Sequence, residues 1–128
     1  MPDLSLSLER CLTRNANTLN SKPEMRIYYV TLNTADEAHR ISHALLEQRL
    51  AVCTNWFPIT CAYRWEGKIV EEPETVLLIK TQPGYRSAIE EVITRHIGYT
   101  NLIAELEPES VNARFLKWLD GEVESRKS

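Results

Sequence analysis

The sequence predicts an α+β fold, a β-α-β-β-α-β sandwich with an internal hairpin and a C-terminal helix. Three observations carry this. Apolar runs are strand-sized, as in Val76-Leu77-Leu78-Ile79. They alternate with stretches whose apolar residues recur at helical spacing. One two-residue turn signal, Glu66-Gly67, sits between two β-rich runs.

The chain has 128 residues, 43% hydrophobic and 26% charged, which suits one folded domain. A chain this small buries only about two-thirds of its unfolded surface, so assembly would help it. The net charge of −3 leaves no basic footprint for nucleic acid. No apolar run is long enough to span a membrane. Residues 1–24 are polar, rich in Asn, Ser and Thr, and read as a disordered extension. Residues 25–122 form the domain, and 123–128 a polar tail. Cys11, Cys53 and Cys61 are odd in number and lack CxxC spacing, so reduced thiols in the cytoplasm are expected.

Arg26 to Leu32 is β-branched and aromatic, a buried strand. Thr34-Ala35-Asp36-Glu37 is a capping box that opens a helix running to about Leu50. Its stripe holds Ala38, Ile41, Leu45 and the stem of Arg49. Ala51 to Phe57 is the next strand, ended by Pro58. Strand–helix–strand order implies a right-handed crossover and parallel pairing. Ile59 to Trp65 and Lys68 to Val70 flank the hairpin turn, and Thr75 to Thr81 is a further strand. Pro83 suits the first turn of a helix, whose stripe is Tyr85, Ala88, Ile89, Val92 and Ile93. Gly98 is placed to stop it. Leu102 to Leu106 is a short strand. A last helix starts near Glu109, with Val111, Phe115, Trp118 and Leu119 on one face and Gly121 at its end. This order is the ferredoxin-like plan. Both helices would cover one sheet face, and the other would be bare in a monomer.

Several segments together resemble the CutA divalent-cation-tolerance family. They are Leu50-Ala51-Val52-Cys53-Thr54-Asn55, Tyr63-Arg64-Trp65-Glu66-Gly67-Lys68-Ile69, Leu78-Ile79-Lys80-Thr81 and Phe115-Leu116-Lys117-Trp118-Leu119. The resemblance implies a ferredoxin-like homotrimer, similar in architecture to PII signalling proteins. It also implies binding of copper or another divalent metal ion, with no organic cofactor and no established enzymatic reaction. The family usually carries His-Pro-Tyr-Glu after the second helix. Here the text is His96-Ile97-Gly98-Tyr99-Thr100, so only His96 and Tyr99 match. A role resting on that glutamate does not carry over.

Cys53 and His96 are the expected metal ligands. A thiolate is a soft ligand and an imidazole a versatile one. The bland readings are a small buried core residue for Cys53 and a solvated loop histidine for His96. Cys61 either adds a thiolate or packs. His39 and His43 stand at i, i+4 on the first helix, where a solvated face is the default. Glu66, Glu71, Glu72 and Glu74 either hold a hard cation or keep an exposed edge soluble. Tyr63, Trp65 and Trp118 are expected anchors at or near subunit contacts. The competing reading is a PII-like trimeric scaffold. Its subunit cleft would take a small anionic metabolite or a partner protein through Arg64, Lys68, Lys80 and Tyr99. No GxSxG, P-loop or GxGxxG is present.

Overall fold

A computed structural model describes residues 23–123. The expected leader lies almost wholly outside them, as do Cys11 and residues 124–128. The elements are β1 (Arg26–Leu32), α1 (Ala35–Glu47), β2 (Cys53–Trp65), β3 (Lys68–Thr81), α2 (Arg86–His96), β4 (Ile103–Leu106) and α3 (Ala113–Glu122). They build an α+β fold on one four-stranded sheet of order β2-β3-β1-β4. Every pairing is antiparallel.

β1 and β2 are therefore not neighbours. Both run antiparallel to β3, which lies between them. The expected parallel pairing is corrected to parallel direction without contact. β3, returning through the hairpin, occupies the place beside β1 that a parallel β1–β2 ladder would need.

Tyr28, Val30 and Leu32 alternate inward along β1, each almost fully buried. They meet Ala38, Ile41 and Leu45 of α1 and Ile89, Val92 and Ile93 of α2 in one core. Burying each of these large side chains stabilises the fold by roughly 1.5–3 kcal/mol. The Thr34 side chain accepts from Glu37 N, and Glu37 reaches back to the Thr34 N–H, completing the capping box.

α1 stops at Glu47, earlier than expected. Leu50 N donates to Leu45 O at 2.9 Å and Arg49 N donates to Leu46 O at 3.1 Å. Arg49 adopts φ 57. This is a Schellman cap with arginine where glycine is usual. Arg49 thus leaves the predicted stripe. Its Nε donates to Glu122 O at 3.1 Å and its Nη2 to Gly121 O at 3.2 Å, closing the carbonyl end of α3.

β2 and β3 are far longer than the sequence suggested. β2 runs straight through Pro58, and β3 through Pro73. β2 is an edge strand, where a proline is tolerated. β1 pairs with β3 only from Thr75 onward, so Pro73 lies where β3 has β2 as its single neighbour. From Ile59↔Glu74 to Trp65↔Lys68 the two strands continue alone. This arm reaches roughly 20–25 Å beyond β1. Its tip is a two-residue turn with Glu66 at φ 49 and Gly67 at φ 79, the I′ geometry that matches strand twist.

The remaining boundaries shift modestly. Pro83 precedes α2 rather than entering it, and Tyr85 is the N-cap. α2 ends at His96 with Ile97 extended, and Gly98 does not take a left-handed conformation, so it is no helix stop. α3 starts at Ala113, not near Glu109, and continues through Gly121. Val123, assigned to the tail, is buried in the core.

Candidate functional site

Cys53 opens β2 opposite Lys80 of β3. It is half-buried, with Lys80 Nζ 4.0 Å from its Sγ. The same ammonium lies 5.9 Å from the centre of the Phe115 ring on α3, within cation–π range. Cys53, Lys80 and Phe115 thus form one small cluster at the N-terminal end of β1, since Lys80 also pairs with Ile27. A metal ion at Cys53 would compete with Lys80 for the sulfur lone pairs. The flexible lysine stem would have to swing aside.

His96 closes α2, with Nδ1 2.9 Å from Val92 O. Three residues later, the Tyr99 hydroxyl donates to Glu37 Oε1 at 2.7 Å and accepts from Asn33 N at 2.8 Å. Asn33 follows the C-terminal end of β1. Seven residues of strand, about 20 Å, separate this end from the Cys53 end. Within one chain, Cys53 and His96 stand toward opposite ends of the sheet and are not brought together. Burial and the bond to Glu37 push the Tyr99 phenol up to about 12.

The anion residues are dispersed as well. Arg64 and Lys68 lie beside the arm tip and are exposed. Lys80 faces Cys53 at the far end of the same strand pair, roughly 40 Å away along β2. Tyr99 is engaged at the α1 cap. Of the expected anchors, Tyr63 is 37% and Trp65 62% exposed, while Trp118 is half-buried against Phe115 and the core.

Cys61 lies midway along the arm, opposite Glu72. Partial burial and the adjacent Glu74 carboxylate raise its thiol, which disfavours the thiolate a soft metal needs. Glu72 and Glu74 share one face of the arm with Cys61, while Glu71 takes the opposite face and Glu66 the tip. Among the described residues, no three His, Cys, Asp or Glu side chains gather into a metal cluster. His39 and His43 are exposed on α1 with ring centres 4.4 Å apart.

One polar network escaped the sequence reading. Tyr28 Oη donates to Glu105 Oε1 at 2.8 Å. Arg26 pairs with Glu105 at 3.4 Å and with Glu107 at 3.0 Å. Burial, then the Glu105 bond, raises the Tyr28 phenol. Only the register Tyr28↔Glu105 reveals these partners.

The family model described as CutA1 divalent ion tolerance protein matches residues 26–122. A divalent-cation tolerance protein CutA of Archaeoglobus fulgidus is 37% identical over 97 residues, covering 75% of this chain and 95% of that protein. Protein CutA of Mus musculus is 35% identical over 99 residues, which cover 76% of this chain and 56% of that protein. The solved structure of the periplasmic divalent cation tolerance protein CutA from Archaeoglobus fulgidus is similar with a TM-score of 0.73 and 34% identity. It covers 78% of this chain and 99% of that one. The α+β fold is of the ferredoxin-like class, and the chain belongs to the CutA1 divalent ion tolerance family.

Proposed function

We propose that this protein acts in divalent-cation tolerance as a homotrimer that binds copper or a similarly soft ion at Cys53. The observation that carries the assembly is the arm. A lone two-stranded ribbon is at best marginally stable in water. This one exposes Tyr63, Trp65 and Ile69, the last at 74%, and Trp56 and Phe57 are exposed on β2 at its base. Such a surface fits burial against neighbouring subunits. Trimerisation would also supply what one chain lacks. Among the described residues no group of three His, Cys, Asp or Glu side chains gathers at Cys53, so a neighbour's His96 or another group would complete its coordination. The unpaired thiols of Cys53 and Cys61 fit a reducing, cytoplasmic setting.

Light scattering at micromolar concentration is expected to return three chains per particle, and a stable monomer overturns the trimer. Titration with Cu(I) under reductant tests the site. The tightest event is expected to vanish in Cys53→Ser and to strengthen in Lys80→Met. Retention of that event in Cys53→Ser removes Cys53 from the site.

A further inference from the structure

We propose that His39 and His43 form a second, exchangeable metal site on the outer face of α1, specific for imidazole-binding divalent ions such as nickel or zinc. The two rings are exposed one helical turn apart, 4.4 Å between centres and inclined by 34°. Two metal–nitrogen bonds of about 2.1 Å at a right angle need ring nitrogens roughly 3 Å apart. A small rotation about the side-chain torsions supplies that separation. Neutral imidazole suits nickel, zinc and copper(II), whereas magnesium and calcium prefer oxygen ligands.

The surroundings favour a cation. Arg40, next to His39 in sequence, is tied to Asp36 at 3.2 Å. Glu47 lies one turn beyond His43 on the same helix. No third ligand completes a cluster among the described residues, so water fills the remaining positions and binding is weak and rapidly reversible. The site is independent of Cys53, which lies on the sheet face turned away from α1, clustered with Lys80 and with Phe115 of α3. Cys53 shares a face with Phe57 and Trp65, while Trp56 points to the α1 side, edge-on to His39 at 6.0 Å.

Trp56 makes the site readable. The untagged full chain has three tryptophans and so three indole N–H signals by nuclear magnetic resonance. Ni(II) at the histidine pair is expected to broaden the Trp56 signal first, leaving Trp65 and Trp118 sharp, and added Zn(II) is expected to restore it. His43→Ala should raise the Ni(II) concentration needed by about tenfold or more, as expected for losing a metal contact. Both histidines are exposed mid-helix positions where alanine favours helix, so the variant folds. Cys53→Ser should leave the broadening unchanged. Equal broadening in wild type and His43→Ala overturns the site, as does broadening that selects Trp118, which packs on Phe115, instead of Trp56.

Discussion

The Tyr99 hydroxyl donates to Glu37 Oε1, the same carboxylate oxygen that accepts the Thr34 N–H at 3.1 Å and the Asn33 N–H at 3.0 Å. A loop after α2 is thereby bound into the N-terminal cap of α1. The phenol supplies what the capping box alone lacks, an anchor from outside the helix.

Tyr99→Phe removes one donor to Glu37 and one acceptor for Asn33. A loss of about 1 kcal/mol is expected, read as a lower urea midpoint at unchanged slope. The folded phenol ionises near 12, above the unfolded value near 10. Its contribution is therefore complete below pH 10 and lost as pH rises through 12. Alkaline titration by tyrosinate absorbance should show one fewer late-ionising tyrosine in the variant.

Arg49 does two jobs, and two substitutions separate them. Arg49→Ala loses both bonds to the end of α3 and keeps a side chain at φ 57. Arg49→Gly loses the same bonds but relieves the left-handed backbone. Alanine is expected to cost about 1–2 kcal/mol and glycine measurably less. Thermal melts showing glycine as the worse substitution would refute the cap.

The arm tip gives an opposed pair. A Cβ at Gly67 meets nothing within 4 Å, so Gly67→Ala acts through φ 79 alone and should destabilise by about 1–2 kcal/mol. Glu66→Asn supplies the residue that prefers the I′ turn and should stabilise by a few tenths of a kcal/mol. Chemical denaturation of both variants checks the signs.

Glu105→Ala strips the buried Tyr28 hydroxyl of its acceptor and should cost roughly 1–3 kcal/mol. Glu105→Gln retains an acceptor and should cost less. If both variants unfold at the same urea concentration, the Tyr28 bond contributes nothing.

The capping box at Thr34, the Ala38–Ile41–Leu45 stripe and the Glu66-Gly67 turn were legible because each is local. Backbone bonds there are satisfied within four residues. The extent of β2 and β3 was not, because Pro58 ends a strand only when that strand has neighbours on both sides. Edge position is a property of strand order, which no single segment encodes. The split of Cys53 from His96 has the same origin. Their types were readable, but their separation is set by the length of β1. Tyr99 was singled out for an anion, and its partner Glu37 emerged only from the packing of α2 against α1.

The arm divides the molecule by how its amides are protected. Residues 27–30 and 76–80 have a paired strand on both sides, and opening them is expected to require global unfolding. Residues 59–74 have a single partner strand, and in a lone subunit they open locally. Hydrogen exchange along that ribbon should therefore slow as protein concentration rises, while exchange in the central strands stays constant. The tip then serves as a gauge of subunit association, separate from folding.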